Sequence, residues 1–459
     1  MKKPPTDRRP RALSLLAAAL VATSCGGSPA PVPPERDITP LESRFDPELQ
    51  PFAFLLPHMP PPQSLAGIRA ADCGKCHGAI YREWKQSTHA HALEDLQFQA
   101  ELAKPDSPKW LCLNCHIPLA DQRESVAIGL VDDDLFRPAL EPNPRFDAGL
   151  RDEAITCAVC HLRLDKRGRT TVLGVHESSE APHPVLPRPD ELRSVCLRCH
   201  DPKGEALTPN LVCWFTTVEE SGDAGHAPTD CSSCHMPRVR RPLAENRADL
   251  PERDVPRHGF PGGGIPKTFD GFEERAANGW RSGLEIETRR EGDDLIVVLT
   301  NAHAGHAIPT ADPERFLHVR LRGFDAAGNV IFEATERIGQ RWEWSPARKL
   351  GDNRIAPGES RELSFTTPSA ADRLVLDVLA VRLSRASAAA MIASTGLDET
   401  LLPGANELVR QLPSIYPTAA YIARVTWIGP SAPGVPADEA ELVRLSIAER
   451  EIPLDERGY

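Results

Sequence analysis

The pattern C-x-x-C-H occurs five times, and it limits what this chain can fold into more than any other feature. The copies are Cys73-Gly-Lys-Cys76-His77, Cys112-Leu-Asn-Cys115-His116, Cys157-Ala-Val-Cys160-His161, Cys196-Leu-Arg-Cys199-His200 and Cys231-Ser-Ser-Cys234-His235. They follow one another at 39, 45, 39 and 35 residues and use ten of the twelve cysteines, leaving Cys25 and Cys213. Two thiols three positions apart reach the two vinyl groups on one porphyrin edge and form thioethers. The next residue then turns its imidazole under the ring as proximal iron ligand. For a single copy, a redox C-x-x-C or a zinc pairing of two C-x-x-C units competes with this reading. A histidine after all five pairs leaves almost no room for coincidence. The expectation is five covalent haem c groups, with His77, His116, His161, His200 and His235 as proximal ligands.

The chain has 459 residues, enough for two or three domains. Hydrophobic residues at 41% and charged residues at 26% argue against wholesale disorder. Aromatics are only 5% and prolines number 45, so something other than Phe, Tyr and Trp is expected to fill part of the interior. The net charge is -12. The first 24 residues carry five basic side chains against Asp7, so the remainder stands at -16. That argues against a nucleic-acid partner, which needs a basic surface.

Residues 1–24 read as an export signal. Basic residues from Lys2 to Arg11 precede an apolar run from Ala12 to Ala22, which is shorter than the ~20 residues a membrane span needs. The run ends in Ala22-Thr23-Ser24-Cys25-Gly26-Gly27, similar to a bacterial lipoprotein cleavage box except for Ala22 in place of Leu. Lipidation at Cys25 is expected, against ordinary cleavage that loses Cys25 or leaves it unmodified. Several acyl chains there would anchor the protein stably. Residues 25–64 read as the lipid anchor and an extended Pro-rich tether, with eleven prolines in 26–64. His58 and Met59 fall in it and are read as non-functional. The expected location is the periplasm or cell surface of a bacterium.

The fold class is α+β. Residues 65–262 read as a mostly irregular and α-helical segment wrapped around five haems, with a helix from Tyr81 to Lys104. Residues 281–383 alternate in the manner of an antiparallel β-sandwich: Leu284–Thr288, Leu295–Thr300, Phe316–Arg322, Val330–Glu333, Arg361–Thr366 and Leu374–Leu383. Residues 384–459 read as short helices (Ser387–Ser394 and Gly404–Leu412) and a tail, with Tyr421–Ile428 as either strand or helix.

Ten histidines are not proximal, and beyond the initiator the methionines are Met59, Met236 and Met391. Met236 adjoins His235 and cannot reach the opposite face of the same haem, so His/His ligation is the expected rule. Trp84-Lys-Gln-Ser87-Thr-His89-Ala90 matches the W-x-x-S-x-H-A signature of cytochrome c-552/c-554-type multihaem cytochromes. Ile155 to His161 with Ala181-Pro-His183-Pro, and Asp230 to Pro237, resemble segments of related multihaem proteins. His258-Gly-Phe260-Pro-Gly262 resembles the H-x-F-x-G that often follows. Asn301 to Thr310 resembles a β-domain loop, N-x-x-x-G-H-x-x-P-T, whose histidine reaches back to a haem. This resemblance implies His89, His183, His258 and His306 as distal ligands. The fifth is assigned to His226 from its place before the last motif, with His91 and His176 in reserve. His303 is a candidate partner of His306, His318 is expected on a solvent face, and Cys213 is read as a buried free thiol. The pattern is departed from twice. Ala311 stands where such loops continue with Gly, and Glu219-Glu220-Ser221-Gly222 stands where E-W-x-x-S is common.

Irons closed on both sides by histidine move electrons and do not turn over substrate, and two histidines hold the potential below that of His/Met. The expected function is extracytoplasmic electron transfer between redox partner proteins, docked through basic patches, with the membrane reached through the lipid anchor. The alternative is a multihaem oxidoreductase acting on a small nitrogen or sulfur compound at one open haem. Related nitrite reductases carry C-x-x-C-K, which is absent from this sequence; hydroxylamine oxidoreductases carry eight haems and a Tyr crosslink, against four tyrosines here. A third reading is a docking subunit whose sandwich recruits a reductase, which fold alone cannot exclude.

Overall fold

A computed structural model describes residues 37–105, 107–202, 216–227, 231–247, 249–262, 282–344, 346–393, 396–415, 417–429 and 432–449. The signal, Cys25 and Cys213 lie outside the described residues.

Each C-x-x-C-H closes or lies within a short helical turn. Lys109–His116, Cys157–His161, Leu197–His200 and Cys231–His235 all end on the motif histidine. In a helix, side chains three and four positions apart share a face, so both thiols and the imidazole point to one side. Small sheets brace these turns: Leu162–Leu164, Thr170–Gly174 and Val185–Pro187 form one, and Arg238–Arg241 with Arg253–Pro256 another. The segment is therefore less purely helical than its sequence suggests.

The expected helix from Tyr81 to Lys104 is two helices, Gly78–Lys85 and Leu96–Ala103. The break has a local cause. Asp95 caps the second helix, its carboxylate accepting from the backbone of Gln97 at 2.8 Å and Phe98 at 3.2 Å. The intervening turns carry His89 and His91.

The tether is shorter than expected. The compact unit begins at Ile38. Ile38–Pro40 pairs antiparallel with Ser125–Val131. Leu41, Phe45, Phe52 and Ala53 are buried with Trp110, Leu111 and Leu130, and Leu56 and Met59 with Leu119, Leu150 and Val159. The prolines alternate with large apolar residues, and it is these that dock the segment on the second and third motifs.

Beyond residue 281 the chain forms two antiparallel sheets face to face. The smaller has the order Ser360–Thr366, Asp294–Asn301, Leu284–Glu291. The larger has six strands, with Phe316–Phe324 between Val330–Trp344 and Arg373–Val381. Leu295, Val297 and Leu299 meet Leu317, Val319, Leu321, Leu376 and Val378 between the sheets. The sandwich does not end at 383, because Ala419–Ile428 is a strand of the large sheet and the helix Glu439–Ala448 covers its outer face. That cover also corrects His318, which is 0% exposed. Its face carries Arg320 and Arg322 and reads as polar in sequence. The tail helix seals it with Leu442 and Leu445. In the same layer Asp377 lies opposite Arg320 on one neighbouring strand and Arg424 on the other. It accepts from Arg320 at 3.0 Å, Arg322 at 2.9 Å and Arg424 at 2.6 Å.

Candidate functional site

All five motifs open onto one cavity of about 2520 Å³. Shared among five motifs this is about 500 Å³ each, the scale of a small-molecule site. The same cavity is lined by His89, His183, His226, His258 and His306.

Three pairs of imidazoles face each other across it with ring centroids 6.2 Å apart: His89 with His200, His161 with His258, and His235 with His306. Metal–imidazole bonds are about 2 Å long, and the ring centroid lies roughly 1 Å behind the bonding nitrogen, so two imidazoles on one metal stand a little over 6 Å apart. The observed spacing fits an iron between each pair. The far nitrogens are directed as well. Nδ1 of His77, His116, His161 and His235 points at the backbone oxygens of Leu243 (2.9 Å), Ala92 (2.7 Å), Leu173 (3.2 Å) and Pro261 (2.6 Å). His258 and His306 do the same toward Pro256 and Ala307, both at 3.0 Å. A carbonyl can only accept, so Nδ1 carries the proton and the Nε2 lone pair is left for a metal. Burial favours the neutral ring: it pushes His116 and His258 down to about 4, and lowers His161, His200 and His306 from the ordinary value.

The motifs are also brought close to one another. The Cys73 and Cys157 side chains interact, and the Cys199 thiol points at the Cys115 carbonyl at 4.0 Å. Cys160 lies near Cys196, which in turn lies near Cys231. The first motif thus neighbours the third, the third the fourth, and the fourth both the second and the fifth.

The remaining candidates are placed differently. His183 stands near His77, close enough that charge on one disfavours charge on the other, though burial lowers it more. His226 packs against Gly305, on the loop that carries His306, and among the described residues no ring contact joins it to a proximal histidine. Both nitrogens of His91 are engaged, with the Lys85 carbonyl at 3.0 Å and with Glu94. His303 pairs with Glu285 at 3.0 Å and His58 with Asp121 at 2.7 Å. His116 is stacked on Phe98, ring centroids 3.4 Å apart, and no imidazole faces it among the described residues. On the wall formed with the helix of Phe98, Glu314 lies among Asp312, Glu101, Lys104 and Ser387, and burial first, then its acidic neighbours, raise it to about 7.

Sequence reasoning missed the carboxylates that hold these ligands in place. Glu83 accepts from the backbone N–H of His258, and Glu220 from that of Ala307. Glu83 adjoins the Trp84–Ala90 signature and Glu220 lies in the Glu219–Gly222 tract, but nothing local shows what they hold, because the groups they meet are 175 and 87 residues away.

Residues 72–133, which contain the first two motifs, match the family described as cytochrome c554 and c-prime. Among solved structures the chain is similar to a penta-heme cytochrome c552 from Thermochromatium tepidum, at 20% identity and a TM-score of 0.50, over 78% of this chain and 97% of that one. No curated protein matches the sequence. The family match covers the segment of the first two motifs, and the structural likeness shows a shared fold.

Proposed function

We propose that this protein is an extracytoplasmic electron carrier holding five haem c groups. The observation that carries this reading is the single cavity onto which all five motifs open, with imidazole pairs facing across it at 6.2 Å. When bound, haem c supplies a one-electron iron couple. The protein's part is to attach each group through two cysteines, to close the iron with His200 and His89, His161 and His258, His235 and His306, and His77 and His183, and to exclude water with the surrounding apolar side chains. The adjacency of the motifs supports a route through the first, third, fourth and fifth, with the second joining at the fourth. Lipidation at Cys25 would hold the protein to a bacterial membrane, and its partners would be redox proteins, not nucleic acid.

A specific observation favours a second reading at one position. Among the described residues no second imidazole is found opposite His116, whose ring carries Phe98 stacked flat on its face, so an iron on its Nε2 would lack a histidine on the far side. There the protein would act as an oxidoreductase on a small nitrogen or sulfur compound. Electron paramagnetic resonance on the oxidised, haem-loaded protein separates the two, recorded with and without cyanide, nitrite and hydroxylamine. Five low-spin irons indifferent to added ligand establish the carrier. A ligand-sensitive high-spin signal worth about one iron in five, lost when Cys112 and Cys115 are both replaced by Ala, moves the conclusion to the oxidoreductase.

A further inference from the structure

Two distal histidines are held by the same device, and it joins distant parts of the chain. Glu83, in the helix after the first motif, takes the Arg241 guanidinium on both oxygens, at 2.7 and 2.8 Å, and accepts the His258 backbone N–H at 3.0 Å. Glu220, in the haem segment, does the equivalent for the sandwich loop. It takes Arg354 at 2.6 Å, the Ala307 N–H at 3.1 Å and the Thr310 hydroxyl at 2.7 Å. The Ala307 carbonyl is in turn the acceptor for Nδ1 of His306. Both ion pairs are largely withdrawn from solvent, the side chains being 11–17% exposed. At such sites a charge-assisted hydrogen bond is strong and the loss of one partner is costly. From its other side the loop is held by Asn301, whose side-chain amide donates to His306 O at 2.8 Å and Ile355 O at 3.0 Å.

We infer that Glu83 and Glu220 are positioning residues: each fixes the backbone of a distal histidine so that its imidazole stays opposite its proximal partner. Glu220 acts across the junction between haem segment and sandwich, so closure of the fifth iron depends on that junction. The inference rests on the proposed ligation by His258 and His306.

The test uses the haem-loaded full chain and reads electron paramagnetic resonance and the haem midpoint potentials. Glu220→Ala is expected to convert the low-spin signal of the His235 haem into a high-spin signal of about one iron in five, or to shift its potential, leaving the others in place. Glu83→Ala is expected to do the same to the His161 haem. Glu220→Gln and Glu83→Gln, which keep an acceptor oxygen, are expected to restore most of the signal. Should Glu220→Ala fail to assemble, Thr310→Val removes the hydroxyl's hydrogen bonds to Glu220 and Thr217 and spares the ion pair, and is expected to perturb the same haem more weakly. His258→Ala and His306→Ala identify the two signals. If neither opens a haem, the ligation reading fails. If both do, yet the glutamate and threonine variants leave every signal and potential unchanged, the positioning role is overturned and the ligation stands.

Discussion

The identity of the imidazole nitrogen left for iron is decided by backbone oxygens. Six histidines present Nδ1 to a carbonyl, and the three opposed pairs differ in the angle between their rings: 58° for His89 and His200, 33° for His161 and His258, 17° for His235 and His306. If each pair held a low-spin iron, ring planes nearer perpendicular would make its two perpendicular orbitals more nearly degenerate. The largest g value is therefore expected to decrease in that order, as the spectra of single distal-ligand variants would show. Ala311, which stands where similar loops have Gly, sits at φ +68°. A left-handed residue with a Cβ costs roughly 1–2 kcal/mol, partly offset by the flexibility glycine adds to the unfolded chain. Ala311→Gly is expected to raise stability by about 0.5–1 kcal/mol in a denaturant titration. Asp377 is the opposite case. Removing the carboxylate shared by Arg320, Arg322 and Arg424 leaves buried cations together, so Asp377→Ala is expected to cost about 3–5 kcal/mol by the same measurement.

Among the elements, the strand Ile38–Pro40 separates an anchored tether from a packed one. A Cβ on Gly129 would meet the Thr39 carbonyl at 2.5 Å and the Ile38 side chain at 2.7 Å. The first is backbone of the partner strand and cannot rotate away, so Gly129→Val is expected to force the strand off the sheet. Limited proteolysis should then cut between residues 40 and 64, where the parent protein resists. The same segment shows why its sequence misleads: prolines suggest an extended chain, but Phe45, Phe52 and Met59 are buried among residues of the second and third motifs. The helix expected from Tyr81 to Lys104 fails for a related reason. Its periodicity is helical at both ends, and the interruption is set by the Asp95 cap and by the Arg382 guanidinium, which meets that carboxylate at 2.7 Å from 287 residues away.

For the whole molecule, the net charge and the acidic cavity wall give a pH signature. Glu314 is raised from 4.5 to about 7, so between those values the folded protein holds a proton that the unfolded chain has released. Stability contributed by that proton is present below about 4.5 and lost as pH rises through about 7. Glu314→Gln is expected to flatten this part of the stability–pH curve, as thermal unfolding between pH 4 and 8 would show.

The candidate attachment motifs were legible in residue order alone. A C-x-x-C-H unit is local, its three side chains meeting on one turn whatever surrounds them, so their grouping follows from spacing. The sandwich strands were legible for the same reason, since alternation over five to nine residues is a property of the strand itself. The facing of imidazoles joins positions far apart in sequence: His89 with His200, His161 with His258, His235 with His306. A motif can nominate those histidines, but only the tertiary structure assigns each to its partner, sets His226 against Gly305, and leaves His116 facing a phenyl ring. It also buries His318 under a helix more than a hundred residues away and brings Glu220 to the His306 loop. Side-chain burial and long-range hydrogen bonds depend on what the rest of the chain brings to a position, which no local window contains.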